Sequence, residues 1–284
     1  MVYYWFILVV VLVLAAVAGL AWLAVWLFSL RTRKPRQIVQ GKTQAWYGRV
    51  NAWAQDSKAL KKDVEACAKA GVSGYMIEMM GWARYDAWTP AWMTETEEAY
   101  ETLVKLCRRH GLWLFVSIVN DNMGSRKYGD PGKKLSSVYN QALDLARIVR
   151  DHGRDNVIVQ PVAETTTEAG RKFEQDCVGI LGGKFPLVYN GGSRPGGIPG
   201  GWQFRAWHPF KVADKVPSDA LAISDTGSII MQLGVGFDGP AHPFALEDWA
   251  RRIRAQGCPV AGYYAFKRAG HDAAAIKALG RAIK

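Results

Sequence analysis

The 284-residue chain is short of cysteine and histidine, with four of one and five of the other. Cys67, Cys107 and Cys177 fall in helical patterns, Cys258 precedes a strand pattern, and no Cys-x-x-Cys spacing occurs. That argues against a zinc site or a thioredoxin-like pair and favours buried free thiols over a disulfide framework. No second histidine stands at metal spacing from His208, so no metal is expected. No Gly-rich phosphate fingerprint follows the first strand pattern, which argues against a dinucleotide cofactor, and none is expected. Acidic residues are also short, 25 against 36 Lys and Arg, for a formal charge of +11. No helix-turn-helix, zinc-finger or RNP-type motif accompanies that charge, so no nucleic-acid partner is expected.

Charge is missing altogether from Val2 to Leu30. A bilayer core needs only about 20 apolar helical residues, so this run predicts a transmembrane helix that contacts lipid through residues 2–30. Tyr3, Tyr4 and Trp5 at one end and Trp22, Trp26 and Phe28 near the other suit two aromatic belts. A cleaved leader would be shorter and open on charge, so the run reads as an uncleaved anchor over residues 1–30. Arg31, Arg33, Lys34 and Arg36 follow it directly, within a basic linker over residues 31–44. Taking those four charges from +11 leaves +7 for the rest, spread over helix faces. The positive-inside rule then predicts a cytoplasmic C-terminal domain.

From residue 45 to 284 the chain repeats one plan. "SKALKKDVEACAKAG" is followed by "GYMIEMM", "TETEEAYETLVKLCRRHG" by "LWLFVSIVND", and "SSVYNQALDLARIVRDHG" by "NVIVQPVAE". Each helix pattern ends on cations and a Gly suited to a left-handed cap: Gly71, Gly111, Gly153 and, near the end, Gly257. Each apolar run after it suits a parallel strand buried on both faces. Eight strand candidates result: Trp46–Trp53, Gly74–Met80, Leu112–Val119, Asn156–Val162, Phe185–Tyr189, Trp202–Trp207, Ala220–Ser224 and Pro259–Tyr264. Eight parallel strands in about 240 residues match a (β/α)8 TIM-like barrel, less regular in its second half. A doubly wound open sheet is the competing architecture.

Barrels of this kind carry their sites at the C-terminal ends of the strands. Those ends read Asn51, Glu78, Asn120 with Asp121, Glu164, Asn190, His208, Asp225 and Tyr264. Burying so many ionisable groups without a ligand is costly, so the set predicts a site. In "VAETTTEAG", Thr165 and Glu168 form a capping-box pattern, and Thr166 or Thr167 caps equally well, so Glu164 is free for chemistry. The bland alternative is a salt bridge from Glu164 to an arginine such as Arg205. Trp82, in the long loop after strand two, and Trp202, flanking strand six, suit stacking against sugar rings.

A barrel with a carboxylate ending strand four and another ending strand seven resembles the large retaining clan of TIM-barrel glycoside hydrolases. The resemblance implies Glu164 as acid/base and Asp225 as nucleophile, with Glu78 as a substitute partner. The clan has Asn where Ala163 precedes Glu164, and Glu where Asp225 stands. A carboxyl separation of about 5 Å implies retention and about 6.5–9.5 Å inversion. The expectation is a membrane-anchored hydrolase of a glycosidic bond. The substrate set would be Asn51, Asn120, Asp121, Asn190, Trp202, His208, Tyr264 and Trp82. Two alternatives stand beside it. One is an inactive membrane-tethered barrel that binds or builds a virion or envelope assembly. The other is a barrel enzyme acting on a phosphorylated or lipid-linked substrate.

Overall fold

The computed structural model describes residues 10–22, 36–38, 42–49, 57–79, 90–120, 135, 138–163, 165, 167–190, 202–207, 228–234, 243–265 and 272–284. Residues 10–22 are helical (α1). The first half then alternates β1 (Gln44–Arg49), α2 (Ser57–Ala70), β2 (Gly74–Glu78), α3 (Pro90–His110) and β3 (Trp113–Asn120). It continues with α4 (Tyr139–His152), β4 (Val157–Ala163) and α5 (Glu168–Leu181). The second half holds β5 (Val188–Tyr189), β6 (Phe204–Trp207), β7 (Ser228–Gly234), α6 (Pro243–Ala255), β8 (Val260–Ala265) and α7 (Asp272–Ala282). The links from β5 to β6 and from β6 to β7, where the sequence predicts the irregularity, lie largely outside the described residues.

All eight strands are parallel, in the order β4-β3-β2-β1-β8-β7-β6-β5. The first strand therefore pairs with the last, as a curled sheet requires. Its two edges touch through a parallel bridge between Val159 and Leu187, where the Val159 N–H donates to the Pro186 carbonyl at 3.0 Å.

Side chains alternate along each strand, and the two faces sort into different cores. Ala45, Tyr47, Tyr75, Ile77, Leu114 and Val116 pack with the helix residues Leu60, Val64, Leu103 and Cys107. Trp46, Met76, Phe115, Ile158, Val188, Ala206 and Val260 form a second cluster with no helix residue in it, so it fills the inside of the curl. Gly71, Gly111 and Gly257 adopt the left-handed conformation expected of caps (φ 84°, 69° and 74°). Gly153 differs: its φ is −64°, and a Cβ there would lie 2.5 Å from the Phe185 ring, so close packing selects that glycine. All four cysteines are free and buried.

Helices return antiparallel to the strands, so their C-terminal turns surround the N-terminal mouth of the curl. Residues 36–38 close that mouth. The Gln44 amide donates to the carbonyls of Arg36 (3.1 Å) and Gln37 (2.6 Å), and the Trp113 indole donates to Arg36 (2.6 Å). Ile38 packs on the inner cluster. The part of the predicted membrane helix within the described residues, α1, is apolar and exposed, with Leu12, Leu14 and Trp22 at 60–70 %. Among the described residues no helix is long and apolar enough to cross a membrane.

The seventh strand lies elsewhere than expected. It is Ser228–Gly234, registered on both β6 and β8, while the expected Ala220–Ser224 lies outside the described residues. Both runs are apolar, but "SIIMQLG" has two adjacent isoleucines that suit a pleated, buried surface. Asp225 precedes β7 in the chain, and the C-terminal end of that strand is Gly234.

Candidate functional site

One step of two residues separates each inner apolar side chain from the next side chain on the same face. From Met76 the step reaches Glu78, from Phe115 Ser117, from Ile158 Gln160, and from Val188 Asn190. The four polar side chains thus form a second layer above the apolar one, toward the C-terminal strand ends. All four are buried. Glu78 and Ser117 are register partners across β2 and β3, as are Ser117 and Gln160 across β3 and β4. The Gln160 amide donates to Ser117 Oγ at 3.1 Å, and the Asn190 amide donates to Gln160 Oε1 at 3.3 Å. Hydrogen bonds thus link three strands across the floor of the C-terminal mouth, with a carboxylate at one end of the layer.

The segment after β4 is held at both neighbours of Glu164. Ala163 ends the strand opposite Asn120. The Thr165 N–H donates to the Asn190 carbonyl at 2.9 Å, and its hydroxyl donates to Oε1 of the buried Glu174 at 2.5 Å. Thr167 caps α5 by accepting from the Gly170 N–H at 3.0 Å. Of the threonines that the sequence offers as caps, Thr167 takes the role, and Thr165 instead ties the strand end to α5.

The structure brings two expected site residues, Glu78 and Asn190, into one layer. Asn120 ends β3 and Tyr264 lies in β8 beside Gly48 and Gly234. Trp202 does not reach the mouth. It precedes β6 at its N-terminal end, packs edge-to-face on Tyr189 with ring centroids 6.0 Å apart, and lies against the helix-facing core. Asn51, Trp82, Asp121, Glu164, His208 and Asp225 lie outside the described residues. Ser117 and Gln160 escape a reading of strand ends because they sit inside apolar runs. The two-residue step from Phe115 and Ile158 would have found them. Among the described residues no group of His, Cys, Asp or Glu is arranged to hold a metal.

The curled parallel sheet resembles in fold the barrels of solved glycoside hydrolases. No family profile and no curated protein matches the chain by sequence. Among solved structures it is similar to a glycoside hydrolase family 5 protein from Bacteroides vulgatus (TM-score 0.57, 8% identity). That match covers 82% of this chain and 63% of the other, so the chain spans less than two thirds of that relative. An endo-1,4-beta-mannanase from Rhizomucor miehei matches at TM-score 0.57 and 8% identity over 89% of this chain and 94% of its own. A family 5 lichenase from a Caldicellulosiruptor species matches at TM-score 0.55 and 12% identity over 89% and 97%. Identities this low carry the fold alone.

Proposed function

We propose that the protein is a membrane-anchored hydrolase of glycosidic bonds, with Glu164 as the proton donor and Glu78 as its partner carboxylate. The observation that carries this reading is Glu78 itself, a buried carboxylate on the inner face at the C-terminal end of β2. Glu164 follows the end of β4, two strands away in the sheet order. Burying a carboxylate beside Met76 and Phe115 is costly, and active sites are where proteins carry such a cost.

The chemistry needs two carboxyl groups in opposite protonation states. Glu164 gives its proton to the glycosidic oxygen as the bond to the anomeric carbon breaks. Glu78 either attacks that carbon or takes a proton from the water that does. Asn190 and Gln160, joined to each other and buried, brace the floor beneath the sugar rather than meeting it. No metal or cofactor enters the scheme. Glu78 is taken as partner in preference to Asp225 because its place on the inner face is described; β7 ends at Gly234, and the first carboxylate after that end is Asp238.

The uncharged run over residues 2–30, with its exposed helical stretch at 10–22, supports the anchor. The basic cluster after it supports a cytoplasmic barrel. The test is incubation of the detergent-solubilised full chain with β-linked glucans and mannans, followed by assay of new reducing ends. Release by the native chain and its loss in Glu164→Gln support the reading. No release from any glycan, with binding retained, would make the barrel a binding module instead.

A further inference from the structure

We propose that the N-terminal face of the barrel docks on anionic lipid headgroups. The candidate site then opens away from the bilayer, onto a glycan in the aqueous phase rather than a lipid-linked sugar. The proposal rests on the anchored-hydrolase reading and extends it to the substrate class.

Two independent observations carry it. The first is where the tether enters the fold. Arg36, Gln37 and Ile38 are fixed to the N-terminal mouth by Gln44, Trp113 and the inner apolar cluster. The predicted span ends at Leu30, and the five residues from 31 to 35 reach at most about 18 Å when fully extended. The eight residues of β3 alone run roughly 26 Å from one mouth to the other, at about 3.3 Å per residue. To bring the C-terminal mouth to the bilayer, the tether would have to cover that height and also pass around the ring of helices. It is too short.

The second observation is charge. Each helix C-terminus favours a cation for its own dipole, and the curl gathers these termini on one face. Lys69, Arg109, Arg154, Lys184, Arg254 and Lys284 are all exposed there. The acids of the same turns, Asp151 and Asp155, already face Arg150 (2.7 Å) and Arg108 (3.3 Å). The remaining positive excess lies on the face from which the tether emerges. A surface of phosphatidylserine or another anionic lipid complements it.

The test uses the full chain in vesicles whose headgroups carry a quencher. The four native thiols are buried, so a dye reacts at an introduced one. Gln256→Cys puts the probe on the N-terminal face, and Glu95→Cys puts it near the start of α3 on the opposite side; both positions are exposed. With phosphatidylserine present, quenching several-fold stronger at position 256 is expected. Replacing phosphatidylserine by phosphatidylcholine, or combining Arg109→Glu with Arg254→Glu, should narrow that difference. Equal or stronger quenching at position 95 overturns the orientation and leaves the hydrolase reading intact. A difference indifferent to lipid charge overturns the headgroup contact. Failure of the chain to float with vesicles overturns the anchor, and the proposal with it.

Discussion

The indole of Trp46 occupies the space that a side chain at position 74 would need: a Cβ on Gly74 would lie 2.5 Å from the ring. Trp46 fills the inside of the curl against Phe115, with centroids 5.9 Å apart, and its Nε1 donates to Gln44 Oε1 at 3.3 Å. The ring is held on both sides and has no room to retreat. Gly74→Ala should therefore destabilise the protein by about 3 kcal/mol, at the upper end for overpacking. Gly179, in α5, meets nothing within 4 Å of an added Cβ. Gly179→Ala should stabilise by about 0.5–1 kcal/mol through helix propensity. Urea unfolding of both variants checks the opposite signs.

Glu247 ties α6 to α7. It accepts from Arg281 Nε at 2.8 Å and from Arg251 at 2.5 Å while itself buried. The hydrogen bond from Arg281 is the largest influence holding its carboxyl below the usual range. A lowered folded pKa gives stability that is present above the unfolded glutamate value, about 4.3, and lost as pH falls through the folded one. Glu247→Gln should lower stability near neutrality and flatten its fall below about pH 4. Thermal midpoints of both proteins across that range would show it. A parallel shift at every pH would contradict the linkage.

Gln160 joins Ser117 to Asn190 across three strands. Gln160→Leu would leave buried polar atoms without this partner, at a cost of about 2–3 kcal/mol. Because Asn190 shares the bond, the double variant with Asn190→Leu should lose less than the two single losses combined. A double-mutant cycle by chemical denaturation measures the coupling.

Burial pushes the thiols of Cys67, Cys107 and Cys177 up, and raises Cys258 to about 12. The native protein should therefore resist thiol reagents at pH 8, and all four cysteines should react once it is unfolded. Rapid labelling of any one in the native state would place it outside the core described above.

The first half of the fold was legible because each helix carries its own stop and each strand its own apolar run. Leu60, Val64 and Cys67 mark a buried face by spacing alone, and Gly71 marks the end. The second half lacks that redundancy. With no helix described between β6 and β7, two apolar runs competed for one strand, and only pairing with β6 and β8 selects Ser228–Gly234. Trp202 flanks a strand, but flanking does not say which end, and its end is the N-terminal one. Glu78 and Asn190 were legible as polar strand ends. Ser117 and Gln160 were not, since a polar residue inside an apolar run is visible only when its face is counted from a known inner neighbour.

The most direct test of the account compares Glu78→Gln with Asp238→Asn in glycan hydrolysis by the full chain. The account predicts that Glu78→Gln lowers kcat by roughly a thousandfold with KM little changed, as loss of a group acting in the transition state requires. Asp238→Asn should keep most of the turnover. Native turnover in Glu78→Gln, with loss in Asp238→Asn, would contradict the assignment and move the partner carboxylate to the end of β7.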